Sequence, residues 1–354
     1  MALFSEQLGF TYVVGTAVGR KVSLVYEAQS QDTASPRLSS ICPGWVLYAE
    51  KTHPEAIAHM STVKSAQQIT GTILKRVVSK EKAIDSTNVY HLTVMPCFDK
   101  KLEAARADNA ADVDGVITPK ELIMMLDEMN ISVKLSTGAP QYDKYSPPQF
   151  PQWSWTSDIG SVSGGYAVNY LRAKQAELES EPNYERENFS IESIEGKNPD
   201  VYELRLIYNG DKVASAAVVN GFRNIQNLVR KLKGPKKVNP LAARRRARLK
   251  KDEPTQPTAD PTQCDYVEIM ACPAGCINGG GQVQAPEGTS SKEWIDETTQ
   301  LYGHIPKFDA VSHASDVKQY FSDFCHDYGV NADQVVNTKF TPVEKEEPAL
   351  GTKW

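Results

Sequence analysis

One stretch constrains this chain more than any other: Glu268-Ile-Met-Ala-Cys-Pro-Ala-Gly-Cys-Ile-Asn-Gly-Gly-Gly-Gln282. Its thiols, Cys272 and Cys276, are separated by Pro, Ala and Gly, and three glycines follow closely. Glycine lets backbone approach a bulky group and take conformations that other residues avoid. A C-x-x-x-C that runs into glycines is the pattern of a chain folding around an inorganic cluster. Cubane iron–sulfur clusters take four thiolates. The stretch is therefore half a ligand set, and the other half must come from elsewhere.

The 354 residues are enough for about two domains. With 40% apolar and 23% charged residues the composition is that of a globular protein. A net charge of −5 gives no global pull toward nucleic acid or a membrane surface. The N-terminus lacks a basic segment and carries Glu6, so no signal peptide is expected. No apolar run approaches the roughly 20 residues of a membrane span. The expected compartment is the cytosol. There the six cysteines read as metal ligands, catalytic groups or core rather than disulfides.

Strand and helix signals alternate. Of the runs 10–14 and 22–26, at least one reads as a strand. Cys42 stands beside a Pro-Gly turn, in a loop. From Met60 to Val78 the spacing is helical, with Ile69, Ile73 and Val77 on one face. Val89–Cys97 is a strand closed by proline that presents Cys97 at its carboxyl end. Val113–Thr118 is another, passing into a capping box, Thr118-Pro-Lys-Glu121, and a helix. A helix over 166–178, strands over 201–208 and 213–219 joined at Asn209-Gly210, and an amphipathic helix over 222–233 follow. A strand at 264–270 leads into the cysteine stretch, and helices are expected near 291–302 and 316–328. Strands alternating with helices predict an α/β fold with a mostly parallel sheet flanked by helices. The expected organisation is a first lobe at 1–135, a Pro- and Gly-rich connection at 136–164 and a second lobe at 165–290. The second lobe carries a basic insertion at about 230–262, and C-terminal helices and tail occupy 291–354.

Cys42, Cys97, Cys272 and Cys276 share one setting: each sits beside Pro or Gly, at a strand end or in a turn. In open α/β sheets ligands gather at the carboxyl ends of strands, where these four could converge. On spacing alone three fates are open: cluster ligands, zinc ligands, or small buried hydrophobes, the commonest fate of a free cysteine. Cys264 and Cys325 lack the Pro/Gly context and read as core. Lys100 and Lys101 follow Cys97 and could offset the charge of thiolate ligands, or be a solvated pair. Residues 230–251 hold eleven Lys or Arg and no acid. No aromatic residues interleave them for base stacking, so they read as a solvated insertion and nucleic acid is not an expected partner.

Four motifs together resemble the catalytic domain of the iron-only hydrogenases: Ser39-Ser-Ile-Cys-Pro-Gly-Trp45, Thr93-Val-Met-Pro-Cys97 with Lys100-Lys101, Val113-Asp-Gly-Val-Ile-Thr118, and Met270–Gln282. The likeness is closer to the hydrogenase-like assembly factors of the cytosolic iron–sulfur machinery, the relatives of the prelamin A recognition factor. That resemblance implies one [4Fe–4S] cluster on Cys42, Cys97, Cys272 and Cys276 between two α/β lobes, with Lys100 beside it. It also implies a role in handing clusters to extramitochondrial apoproteins, with other cytosolic assembly and targeting proteins as partners and no membrane. Hydrogenases place a proton-shuttling cysteine just before the first ligand. Here Ile41 stands there, which carries no proton, so hydrogenase or related redox chemistry is the disfavoured alternative. The family's N-terminal ferredoxin-like module needs four more cysteines, and only Cys42 precedes position 97, so its second cluster is not expected in this chain. Trp354 reads either as a docking signal, because family members and clients of the targeting complex end in an aromatic residue, or as the end of a frayed polar tail. A third reading, a module whose basic run contacts nucleic acid or a nuclear partner, would add the nucleus to the cytosol.

Overall fold

The computed structural model describes residues 1–29, 35–133, 142–233 and 257–343. Most of the basic run, part of the 136–164 connection and Trp354 lie outside the described residues. In chain order the main elements begin with helix α1 (Ala17–Gln29), strand β1 (Arg37–Leu38), helix α2 (Pro43–Thr52) and helix α3 (Ala66–Lys82). Strand β2 (Leu92–Val94), helix α4 (Asp99–Ala104), strand β3 (Gly115–Ile117) and helix α5 (Pro119–Glu128) follow. Next come helix α6 (Tyr166–Glu179), strands β4 (Phe189–Glu195), β5 (Val201–Tyr208) and β6 (Asp211–Asn220), and helix α7 (Phe222–Leu232). Strand β7 (Tyr266–Met270) and helices α8 (Ser291–Gly303), α9 (Ala314–Tyr328) and α10 (Ala332–Val336) complete the set.

The α/β fold expected from the sequence is the fold observed. β2 and β3 form a two-stranded parallel sheet, and the larger sheet has the order β1-β7-β6-β5-β4. It is mixed rather than mostly parallel: β1, β7 and β6 run parallel, while β6, β5 and β4 alternate in direction. The reversal follows from Asn209-Gly210, both at positive φ, which closes the β5–β6 hairpin. β4 was not foreseen, because its Ser/Glu-rich sequence makes a half-exposed edge rather than a buried strand.

β7 is buried along its whole length. Val267 and Ile269 face a core shared with Trp45, Val46 and Ala49 of α2 and Ile225, Leu228 and Val229 of α7. Tyr266 and Met270 face the other core, with Leu171 of α6, Leu24 of α1 and Ile41. A third core joins α1 and α3 to Val317, Phe321 and Phe324 of α9 and Val335 and Val336 of α10.

The run 22–26 is helical, not extended, and 10–14 forms no strand. α1 is enclosed on nearly all sides. Val18, Val22 and Val25 enter one core and Leu24 another. Lys21 pairs with Asp158 at 2.8 Å, and the Glu27 carboxylate accepts from Ser61 and Tyr266. An all-round buried helix mimics the composition of a strand, and packing decides. The helix read from Met60 starts at Ala66. The capping box forms as read, with Thr118 and Glu121 satisfying each other's amides.

Candidate metal centre

The register of the larger sheet delivers the first cysteine to the last two. Leu38 of β1 is paired with Val267 of β7, and four residues farther along each strand lie Cys42 and Ala271. The Ala271 N–H accordingly donates to Cys42 Sγ at 3.3 Å. Cys42 lies in the loop as expected and is also the N-cap of α2, with Pro43 at the first helical position. The amides of Gly44 and Trp45, at the start of α2, favour its thiolate electrostatically without outweighing its burial.

Cys97 arrives from the smaller sheet. It lies three residues past β2 and two before α4, and the glycine loop clamps that turn. The Gly281 N–H donates to Pro96 O at 3.0 Å, and the Lys120 N–H, at the start of α5, donates to Gly281 O at 3.1 Å. A side chain at Gly279 would strike Pro96 O. Gly275 has φ +82°, and a Cβ there would strike Ser163 Oγ, so this turn requires glycine twice over. The Ser163 hydroxyl instead accepts the Cys276 N–H at 2.9 Å.

All four cysteines are partly exposed free thiols. They are near enough for mutual electrostatic influence: Cys42 acts on Cys97, Cys272 and Cys276, and Cys97 also acts on Cys272. Burial raises the pKa of each. Cys272 is pushed up to about 11 and Cys276 to about 12, in both cases first by burial and then by the neighbouring thiolates. Among the described residues no three His, Cys, Asp or Glu close to the spacing of a single metal ion. Cys264 is core, and Cys325 packs against the α1–α3 core.

Lys100 Nζ donates to Ile41 O at 3.0 Å and to Glu103 Oε2 at 2.9 Å, with its side chain 13% exposed. Its charge favours the thiolates of Cys42, Cys97 and Cys276. It is thus no solvated lysine. Lys101 pairs instead with Glu121, 40% exposed, at the surface. A cavity of about 270 Å³ adjoins Cys276, with Arg20, Ile41, Lys100, Ser163, Tyr166 and Met270 in its wall. Arg20, Ser163 and Glu268 carry no sequence signal of their own. Ser163 stands in a Ser-Gly-Gly run that reads simply as a connection.

Residues 1–280 match the family model described as the iron-only hydrogenase large subunit, C-terminal domain. The chain is 45% identical to the cytosolic Fe-S cluster assembly factor NAR1 of Debaryomyces hansenii, over 99% of this chain and 74% of that protein. Identity to the factor of the same name is 46% in Meyerozyma guilliermondii, with the same coverage, and 42% in Candida albicans, over 99% and 76%. Among solved structures, a single-substitution variant of the apo [FeFe]-hydrogenase HydA1 of Chlamydomonas reinhardtii superposes with a TM-score of 0.66 at 21% identity, covering 95% of this chain and 86% of that one. A structure of HydA(deltaEFG), solved to follow stepwise H-cluster assembly, gives 0.67 at the same identity and coverage. These likenesses establish the fold.

Proposed function

The chain belongs to the iron-only hydrogenase large-subunit family, beside its cytosolic Fe-S cluster assembly factors, and from that premise we propose that it binds one [4Fe–4S] cluster and acts in delivering clusters to extramitochondrial apoproteins. The observation that carries this reading is the gathering of four free thiols, from three separate segments, within electrostatic reach of one another and of a nearly buried lysine. An all-thiolate donor set is the one iron–sulfur clusters select. Bound there, the cluster supplies one-electron redox capacity and a unit that can be passed on.

The chain's own residues hold and shield. Cys42 and Cys276 lie deepest, Cys97 and Cys272 nearer the surface. Lys100 balances thiolate charge, and the glycine turn closes against Pro96. Ile41 offers the neighbouring cavity an apolar side chain and a carbonyl that is already taken by Lys100. It has no proton to relay, which supports a non-catalytic role. Among the described residues no helix is long and apolar enough to cross a membrane. Partners are proposed among cytosolic assembly proteins and apoprotein clients, with Trp354 as a docking signal. Nothing beyond the basic run speaks for the nucleus.

Anaerobic reconstitution followed by iron and sulfide analysis and electron paramagnetic resonance tests the reading. About four irons per chain are expected, as one cubane requires, and they are lost in Cys272→Ala. Zinc without labile sulfide, or a diiron signal with hydrogen evolution, would overturn it.

A further inference from the structure

Behind Cys276 lies a carboxylate that the proposed function leaves unused. Glu268 is completely buried in the middle of β7, four residues before Cys272. Its Oε1 accepts the Ser161 hydroxyl at 2.5 Å, and its Oε2 accepts the Ala167 N–H at 2.9 Å in the first turn of α6. The Ser161 oxygen in turn accepts the N–H groups of Ser163 at 3.3 Å and Gly165 at 3.2 Å. Ser163 then accepts the Cys276 N–H and fills the space beside Gly275. Gly160, Gly164 and Gly165 all have positive φ, so this loop has little stiffness of its own. Its course is set by the hydroxyl and the carboxylate that hold it.

We propose that Glu268, acting through Ser161 and Ser163, is a positioning residue that fixes the Cys276 corner of the site. The inference rests on Cys276 being a ligand, but its first test needs no cluster. Glu268 has a simpler role open to it, capping α6 through the Ala167 amide. The two roles differ in what moves when the chain of bonds is cut. As a cap, its loss loosens the start of α6 and leaves the cysteine turn alone. As a positioning residue, its loss frees the Cys276 amide in the turn beyond the end of β7, through two intervening hydroxyls.

Hydrogen–deuterium exchange on the full-length apo protein separates them, read on peptides spanning 161–171 and 272–279. Ser161→Ala removes the hub, Glu268→Gln offers an acceptor to one of its two donors and an amide to the other, and Ser163→Ala removes the last link. In all three variants the 272–279 peptide is expected to exchange about five- to tenfold faster, the effect of losing one hydrogen bond. The Ser161→Ala/Ser163→Ala double variant is expected to exchange no faster than Ser163→Ala. Acceleration confined to 161–171, or independent effects of the two serines, overturns the proposal. Where Glu268→Gln fails to fold, Ser161→Ala decides. In reconstituted protein the same variants should release iron to a chelator several-fold faster than wild type. A wild type that takes up no cluster would refute the proposed function and leave the exchange result standing.

Discussion

Lys100→Met tests the electrostatics of the site. The ammonium makes two hydrogen bonds, to Ile41 O at 3.0 Å and Glu103 Oε2 at 2.9 Å, and both partners of the ion pair are nearly buried, at 13% and 10% side-chain exposure. Breaking such a pair from one side costs about 3–5 kcal/mol. Ser65 at 3.0 Å and Gln67 at 3.3 Å still donate to the orphaned Glu103, which lowers the expected loss to about 1–3 kcal/mol. The second effect falls on the cluster. At an effective dielectric constant of about 20, a nearby unit charge acts by about 1–2 kcal/mol. A one-electron couple moves about 59 mV for each 1.36 kcal/mol. Removing the cation disfavours the more negative, reduced state, so the potential should fall by about 40–90 mV. Glu103→Gln provides the opposite sign. If the effect is electrostatic, Lys100→Met lowers the potential and Glu103→Gln raises it; if both merely loosen the site, both shift it the same way. Redox titration of the reconstituted variants, with thermal unfolding of the apo forms, measures the two effects separately. A potential that stays put or rises in Lys100→Met would refute the reasoning.

The raised thiols make cluster uptake proton-coupled, because ligands bind as thiolates and the apo thiols are protonated at neutral pH; uptake should tighten from pH 7 to 9, read as iron retained against a chelator. Unfolded thiols ionise from about 9.0 while the buried ones keep their protons up to about 11 to 12, so apo stability is fully present below 9.0 and the apo melting temperature should drop between about pH 9 and 12. Trp45→Ala empties a completely buried site whose indole donates to Ser39 O, and should cost about 3–5 kcal/mol in denaturant unfolding. Arg106 grips Glu50 with two bonds of 2.9 and 3.0 Å, holds Lys339 O and stacks on Phe340; Arg106→Ala should expose the 338–343 segment to limited proteolysis and cost about 1–3 kcal/mol.

Local signals were read correctly where the chemistry is local. Thr118-Pro-Lys-Glu121 caps its helix, and Asn209-Gly210 closes its hairpin, because a few adjacent residues decide each. The surroundings of the four cysteines were legible for the same reason: Pro and Gly mark the turns that carry them. Val22–Tyr26 misled because burial on every face of α1 comes from partners far away, Asp158, Ser61 and Tyr266 among them. β4 was hidden by its exposure. Glu268 was illegible as a positioning residue, since nothing in a strand's sequence announces that its one carboxylate faces two serines and a helix start.

The site has no element of its own, and that has an energetic consequence. Cys42 depends on the β1–β7 register and is tied to the Cys272–Cys276 turn by the Ala271 amide, while Cys97 depends on the β2–β3 sheet and is tied to it by the glycine loop closing on Pro96. β1 is two residues long, so its register is held less by its own ladder than by Leu38 and Trp45 in the core behind it. A slip of one residue would turn Leu38 out of that core and carry Cys42 off the Ala271 amide together. The apolar packing that makes the fold is therefore also what sets the thiol spacing. Mutations in the α2–α7 core, far from any sulfur, should loosen the cluster in proportion to the stability they remove. Mutations of the exposed face of α5, at Ile123 and Met124, should leave it in place.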